Sequence, residues 1–113
     1  MKTIIVIPCY NEAARLDTAA FLNFARKHGH IHLLFVNDGS RDNTQALIEA
    51  MAQELPAGIS TWPLDKNKGK AEAVREGFLK GLTMAPEFIG FLDADLASPI
   101  ETVLELETTL SLT

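Results

Sequence analysis

The sequence predicts an α/β fold in which a mostly parallel sheet carries helices on both faces. Apolar, β-branched runs alternate with amphipathic segments along all 113 residues, and repeated strand, crossover, strand units favour parallel pairing. The first, second and last of these runs are continuously apolar, which is typical of strands covered on both faces. The pattern therefore predicts a Rossmann-like domain with right-handed connections.

The predicted strands are four short apolar runs, at residues 4–7, 33–36, 59–62 and 88–92. The first run is too short to form the core of a signal peptide or to cross a bilayer. In a parallel sheet the carboxyl ends of the strands share one edge, where ligands of such folds bind. We therefore expect residues 8–12, 37–40 and 93–95 to lie close together.

The segments between the strands predict helices, because apolar residues recur on one helical face. Asp42 and Gln45 resemble a capping box for the second helix, and Gly29 and Gly58 follow the first two helices. Ser98-Pro99-Ile100-Glu101 predicts the start of a fourth helix. The apolar stripes of the first three helices are Ala13, Leu16, Ala20 and Phe24; Leu47, Ile48, Met51 and Leu55; and Ala71, Val74, Phe78 and Leu82.

The composition is that of an ordinary globular domain, with 47% hydrophobic and 22% charged residues. The net charge is −5 and no run of Lys and Arg exceeds two residues, which argues against a nucleic-acid partner. Cys9 is the only cysteine, so an intrachain disulfide is excluded. We interpret Cys9 as a small buried core residue of a protein in a reducing compartment, the cytoplasm.

Asp93-Ala94-Asp95 follows the last apolar run and is the first candidate for chemistry. Residues i and i+2 of an extended chain point the same way, so both carboxylates can face one divalent cation. An all-oxygen site of this kind suits Mg²⁺ or Mn²⁺. Two acidic residues after a strand are also explained by solvation or by capping of the next helix, and the pair alone does not decide between these interpretations.

Four segments together resemble a known family: I-P-C-Y-N-E, F-V-N-D-G-S-R-D-N-T, N-K-G-K-A-E-A-V-R-E-G and F-L-D-A-D-L-A-S-P. In this order they resemble the nucleotide-sugar-binding half of family 2 inverting glycosyltransferases of the GT-A fold. They are most similar to polyprenyl-phosphate sugar transferases of the dolichyl-phosphate mannosyl- or glucosyltransferase type. The resemblance implies that residues 1–113 form this half of a GT-A domain, which is incomplete as it stands.

The resemblance also implies roles for single residues near the nucleotide. Pro8, Tyr10 and Glu12 would border the base and ribose, and Asp38 would contact the base edge. Tyr10 offers an aromatic face to a flat base, and Asp38 can accept from a ring N–H. Simpler explanations stay open, because Tyr10 could shield the sheet edge, Glu12 could complement a helix dipole and Asp38 could belong only to a turn.

Further along the chain, the resemblance places Lys70 near the base or diphosphate. Asp93 and Asp95, with Ala94 between them, would hold the ribose and the metal-bound diphosphate. Lys70 supplies positive charge to an acidic crevice, although it could instead be a solvated helix lysine. Gly77 could serve only to pack its helix tightly on the sheet.

His28, His30 and His32 form a spaced group that invites a metal-site interpretation. No carboxylate or cysteine at ligand spacing accompanies them, so we prefer a solvated turn.

The resemblance implies in-line displacement, with inversion, on a UDP- or GDP-sugar, with a metal offsetting charge on the leaving diphosphate. The acceptor would be a saccharide or a lipid phosphate. No residue stands out as a catalytic base, but a lipid monophosphate is already anionic at neutral pH and needs little deprotonation. We expect the 113 residues alone to transfer sugar poorly, a sheet edge to favour a homo-oligomer, and the full-length protein to associate with membranes.

Two other functions remain open on sequence grounds. One is a nucleotide-binding module without catalysis. The other is a phosphoacceptor signalling domain, which the sequence disfavours because its acidic cluster should end the first strand, where Pro8-Cys9-Tyr10-Asn11 stands.

Overall fold

A computed structural model of the chain describes residues 2–95 and Leu104. In this part of the chain the strands form one parallel sheet in the order β3-β2-β1-β4. The predicted α/β class and all four predicted strands are confirmed. The elements are β1 (Thr3–Cys9), α1 (Thr18–Lys27), β2 (Ile31–Asn37), α2 (Thr44–Glu54), β3 (Ile59–Pro63), α3 (Lys70–Leu82) and β4 (Phe88–Phe91).

Helices cover both faces of the sheet. On one face α1 and α2 contribute Phe21 and Ile48 to an apolar cluster with Ile5 and Phe35 from β1 and β2. On the other face α3 packs through Ala73 against the side chains that alternate with these, Ile4, Val6, Leu34 and Val36. The alternation explains why most residues of β1 and β2 are apolar, since neither face of these two central strands meets water.

Pro8 lies inside β1, a central strand, although proline has no N–H to give to a ladder. The carbonyl oxygen of Val6 accepts a hydrogen bond from Leu92 N at 3.0 Å, so the main-chain N and O atoms of Val6 point toward β4. Those of Pro8, two residues further along the strand, point the same way. The β1–β4 register ends at Val6 and Phe91. Pro8 therefore lies beyond the last paired residue of β4, and its missing donor costs no strand hydrogen bond.

The predicted helix starts need correction at two places. The first helix begins at Thr18, because Asp17 accepts from Ala20 N and acts as the N-cap. Ala13 therefore lies in the preceding turn. The capping box at Asp42 and Gln45 is wrong: the N-cap of α2 is Asn43.

The predicted apolar stripe of α3 is also wrong in part, since Ala71 and Leu82 are exposed. The buried face consists of Ala73, Gly77 and Gly81. A Cβ at Gly77 would come within 2.4 Å of Val6 Cγ1, so the helix backbone lies directly on the sheet. The suggestion that Gly77 serves tight helix packing is confirmed.

The solvated turn expected for the histidines does not extend to His32, which is 6% exposed on β2. Its Nδ1 lies 3.2 Å from Ala57 O and its Nε2 lies 2.8 Å from Ser60 Oγ. Burial lowers the pKa of this imidazole.

The fourth helix predicted from Ser98 lies outside the described residues, apart from Leu104, which is helical and packs against the α1–α2 side of the core. None of the helices that the structure describes combines the length and apolar character needed to span a bilayer.

Candidate nucleotide-sugar site

A cleft of about 490 Å³ opens at the carboxyl ends of the strands. The loops after β1 and β2, the loop before α3 and the segment after β4 all contribute to it, so the expected meeting of these segments occurs. Every residue singled out from the sequence as a site candidate lines this cleft, together with three that were not. The lining residues are Pro8, Cys9, Tyr10, Glu12, Asp38, Asn67, Gly69, Lys70, Asp93, Ala94 and Asp95.

Asp38 is the most deeply held acid in the cleft, with only 3% of its surface exposed. Its Oδ1 accepts from Lys68 N at 2.7 Å, and its Oδ2 accepts from Gly69 N and from Asn67 Nδ2, each at 3.0 Å. A carboxylate offers about four acceptor positions, so about one remains for a further donor. Asp38 therefore shapes the loop before α3 and keeps limited capacity toward a ligand.

The loop after β2 touches the loop before α3 backbone to backbone at Gly39. Gly39 has φ +67°, and a Cβ there would lie 2.3 Å from Asn67 N and 2.4 Å from Lys66 C. Only glycine fits this position, because any side chain would collide with main-chain atoms that have little room to move. The approach explains how the neighbouring Asp38 carboxylate reaches two successive amides of the other loop.

The loop after β1 is held by what we call the loop clamp, the side chains of Ser40, Asp42 and Thr44. These three residues bind three successive backbone amides, and the main chain of Arg41 in turn donates to Asn11 Oδ1 at 2.9 Å. The clamp supports Asn11 in the left-handed region at φ 51°. Its bonds run from Asn11 N to Ser40 Oγ at 2.9 Å, from Glu12 N to Thr44 Oγ1 at 2.9 Å and from Ala13 N to Asp42 Oδ2 at 3.2 Å.

Glu12 brings a partly unsatisfied carboxylate to the cleft. Its Oε2 is buried and accepts no hydrogen bond within the described residues, although Arg15 Nη2 lies 3.2 Å away at ion-pair distance. The arginine supplies charge without hydrogen-bonding geometry, so Glu12 Oε2 is a buried acceptor that is not hydrogen-bonded within the described residues. Cys9 also lines the cleft but is 1% exposed, and burial raises the pKa of its thiol to about 12, which makes it a poor nucleophile.

Lys70 and Asp93 form the exposed side of the cleft. Lys70 Nζ pairs with Asp93 Oδ1, and the two side chains are 59% and 44% exposed. The same Nζ lies 5.9 Å from the centre of the half-exposed Phe91 ring. Such a pair in water gains little free energy and exchanges partners easily, so both groups are accessible to an incoming ligand.

Asp93 and Asp95 supply hard carboxylate oxygens of the type that Mg²⁺ and Mn²⁺ prefer. Among residues 2–95 and Leu104, no group of three or more His, Cys, Asp or Glu side chains could hold a metal ion. The donor set fits a divalent cation whose remaining ligands come from water or a bound diphosphate, as expected for Mg²⁺ in particular.

The sequence did not predict several residues that hold the loops of the site in place by hydrogen bonds. Asn67 lines the cleft because Asp38 binds it, and Thr44 and Asp42 act from outside it. Gly39 and Gly69 both have positive φ. The glycines in N-D-G-S and N-K-G-K could have predicted this conformation, because glycine adopts it without strain. The partners of the loop clamp lie 29 to 32 residues apart, and no local pattern indicates them.

Comparisons with known proteins agree with this architecture. The family model described as glycosyl transferase family 2 matches residues 4–110. An undecaprenyl-phosphate 4-deoxy-4-formamido-L-arabinose transferase from Shewanella sediminis is 36% identical over 107 residues, which cover 90% of this chain and 31% of that protein. A dolichyl-phosphate beta-glucosyltransferase from Trichomonas vaginalis is 35% identical over 113 residues, covering 93% of this chain and 32% of the relative.

Solved structures of glycosyltransferases share the fold. S. aureus TarS in complex with UDP-GlcNAc matches with a TM-score of 0.71 at 22% identity, over 98% of this chain and 31% of that one. A mannosyltransferase from Pyrobaculum calidifontis, in complex with GDP-Man and Mn²⁺, matches with a TM-score of 0.62 at 22% identity, over 87% and 33%. The chain thus spans about a third of the length of the curated relatives it matches, and the match over residues 4–110 shows that it belongs to glycosyl transferase family 2.

Proposed function

We propose that residues 1–113 bind the nucleotide sugar in an inverting, metal-assisted glycosyltransferase, and that the acceptor of the whole protein is a polyprenyl phosphate. One observation carries the proposal: loops from four separate strand ends line a single cleft that holds an aromatic ring, a lysine and a pair of carboxylates. The names of the relatives, which are polyprenyl- and dolichyl-phosphate sugar transferases, support the choice of acceptor.

In this proposal the buried end of the cleft takes the nucleoside. Tyr10 is 41% exposed and can stack on the base, while the open acceptor position of Asp38 receives a base N–H. The carboxylate of Glu12, which lines the cleft, accepts from a ribose hydroxyl. Pro8, which lies beyond the end of β4, forms the floor between these groups.

The exposed side of the cleft takes the diphosphate. Lys70 exchanges its bond to Asp93 for a phosphate oxygen, since an ammonium group binds either anion as a point charge. Asp93 and Asp95, with Ala94 between them, would hold Mg²⁺ or Mn²⁺. When bound, the metal offsets the negative charge that develops on the leaving diphosphate.

Calorimetry tests the proposal with UDP, GDP and CDP, each with and without Mn²⁺. We expect metal-dependent binding of UDP or GDP, and we expect Asp95→Ala to abolish it because one of the two carboxylate ligands is lost. Asp65→Ala is the matched control, since it changes the net charge equally at an 83% exposed side chain that does not line the cleft. Unchanged affinity in Asp95→Ala would remove Asp95 from the site.

A phosphoacceptor function is tested in the same preparation with acetyl phosphate and Mg²⁺. Asp38 is poorly suited to phosphorylation, because it is buried and three N–H groups bind its carboxylate. A stable acyl phosphate on Asp93 would favour signalling over sugar transfer. The acceptor, a cytoplasmic location and a homo-oligomer stay predictions.

A further inference from the structure

Thr44 is the central member of the loop clamp and is fully buried. Its hydroxyl accepts from Glu12 N at 2.9 Å and donates to Asp42 Oδ1. A threonine hydroxyl has a single hydrogen to donate. Because Asp42 takes this hydrogen, the lone pairs of Thr44 Oγ1 are left to accept from the amide of Glu12. That bond is also the main cause of the lowered pKa of the Asp42 carboxyl.

The hydroxyl of Thr44 does not serve the helix that it begins. The N-cap of α2 is Asn43, whose side chain makes no capping bond. Thr44 instead reaches across 32 residues of sequence to the loop after β1. Capping of first-turn amides is the task of the N-cap side chain, and Thr44 lies one residue beyond that position. Its bond to Glu12 is therefore a contact between two loops and not a helix cap.

The bond matters for the site because the main chain and the side chain of Glu12 have different surroundings. The amide of Glu12 is bound to Thr44, whereas its side chain lies in the cleft with Oε2 lacking a hydrogen bond within the described residues. Asn11, the residue between Tyr10 and Glu12, has φ 51°, a left-handed conformation that asparagine adopts more readily than most residues, and the clamp bonds on both sides of it hold the segment in place. Loss of the clamp would let this segment relax and would move both neighbouring side chains.

We propose that Thr44 is a positioning residue of the nucleotide-sugar site, holding the peptide of Glu12 so that the Glu12 carboxylate and the Tyr10 ring face the ligand. The inference rests on the proposed function. Thr44 touches neither the cleft nor a ligand, and it acts only through Glu12 and the adjoining residues of the loop.

The test compares Thr44→Val, which keeps the shape but removes the hydroxyl, with Thr44→Ser, which keeps the hydroxyl. Ile48→Val is the stability control, since Ile48 is buried one turn along α2 and faces the core. Amide hydrogen exchange at Glu12 measures the clamp without any ligand. Calorimetry with UDP and GDP in the presence of Mn²⁺ measures binding in all four proteins.

We expect Thr44→Val to speed exchange at Glu12 and to raise the dissociation constant about tenfold, the effect of one lost hydrogen bond. Thr44→Ser should stay within about twofold of wild type, and Ile48→Val should bind normally despite its lower stability. Unchanged exchange in Thr44→Val would overturn the inference, and so would faster exchange with unchanged affinity. Failure of the wild-type chain to bind either nucleotide would overturn the proposed function itself, before any variant is compared.

Discussion

Asp38 and Asp93 both line the cleft, but the protein holds them in different ways. Asp38 is 3% exposed and accepts from two main-chain amides and a side-chain amide. The side chain of Asp93 is 44% exposed, and its Oδ1 pairs with one lysine head group that is also exposed. The first acid is bound by neutral donors in fixed positions, whereas the second is bound by a charge that water and other anions can replace.

Under the proposed function, this difference corresponds to two tasks of the site. The Asp38 side, with Gly39 and the loop clamp, is built before any ligand arrives, so it can select the shape of a nucleoside at little cost in ordering. The Asp93 side is exposed and its ion pair is exchangeable, which would suit groups that bind a cation and diphosphate and then release them. Substitutions on the first side should therefore reduce stability as well as binding, and substitutions on the second should reduce binding with little loss of stability.

The largest expected loss of stability is at Gly39. Gly39→Ala forces an L residue into φ +67° and places a methyl group 2.3 Å from Asn67 N, so we expect the free energy of unfolding to fall by about 4 kcal/mol. Gly69→Ala is the matched control, because Gly69 has φ +97° with nothing within 4 Å of the added Cβ and should lose only about 2 kcal/mol. Urea unfolding measures both, and equal losses would show that the contact between the loops has no energetic weight.

The next effect compares the two acids directly. Asp38→Asn should lower the free energy of unfolding by about 3 kcal/mol, because the amide presents an N–H₂ group to donors that bound a carboxylate. Asp93→Asn should cost less than about 1 kcal/mol, as for other exposed ion pairs. Under the proposed function, Asp93→Asn should weaken Mn²⁺-dependent nucleotide binding more than Asp38→Asn does, which is the reverse of their order in stability. Similar unfolding losses in the two variants would remove the distinction between the two sides.

A smaller effect is expected from pH at His32, which lies on β2 outside the cleft. Burial lowers its pKa in the folded protein, so below about pH 6.5 the unfolded chain binds more protons than the folded one. Stability should therefore be fully present above that pH and decline as the pH falls, by at most about 1.4 kcal/mol per pH unit for this one group. Unfolding of wild type and His32→Gln between pH 7.5 and 5.5 measures the difference. Parallel pH curves for the two proteins would exclude His32 as the cause.

The sheet and the gathering of the site were predictable for the same physical reason. Long apolar runs such as 33–36 can lie only in strands covered on both faces, and parallel strands bring their carboxyl ends to one edge. Tyr10, Asp38 and Asp93 therefore met in one cleft although they are far apart in sequence.

The helix surfaces were less predictable, because small residues carry little hydrophobic signal. The stripe ending in Leu82 is partly exposed, while Gly77 and Gly81 lie against the sheet. Periodicity also extended the first helix back through Ala13, where Asp17 caps a later start. Packing against the sheet decides which face of α3 is buried, and the hydrogen bond of Asp17 decides where α1 begins. Both differ from what the spacing of apolar residues predicts.

The supports of the site could not be predicted, because they are hydrogen bonds from side chains to distant main-chain amides. Asp38 was expected to face only a base edge or a turn, and its bonds to Lys68 N and Gly69 N span 30 and 31 residues. Likewise Thr44 ends the segment F-V-N-D-G-S-R-D-N-T that carries the family resemblance, but nothing in that segment indicates its bond to Glu12. Such contacts depend on where two loops cross, which the pattern of either loop alone does not contain.

The smallest expected change in stability is at Lys70, the partner of Asp93. Lys70→Met should alter the free energy of unfolding by no more than about 0.5 kcal/mol, because both members of the pair are exposed. Removing a positive charge a few ångströms from Asp93 should nevertheless raise the affinity for Mn²⁺ alone about fivefold, the size of one screened charge interaction in water, while nucleotide affinity falls. Lys80→Met is the matched control, since Lys80 lies over the Trp62 ring and not in the cleft. Unchanged Mn²⁺ affinity in Lys70→Met would mean that Lys70 does not compete with the cation for Asp93. The contrast between an exchangeable Asp93 and a fixed Asp38 would then be lost.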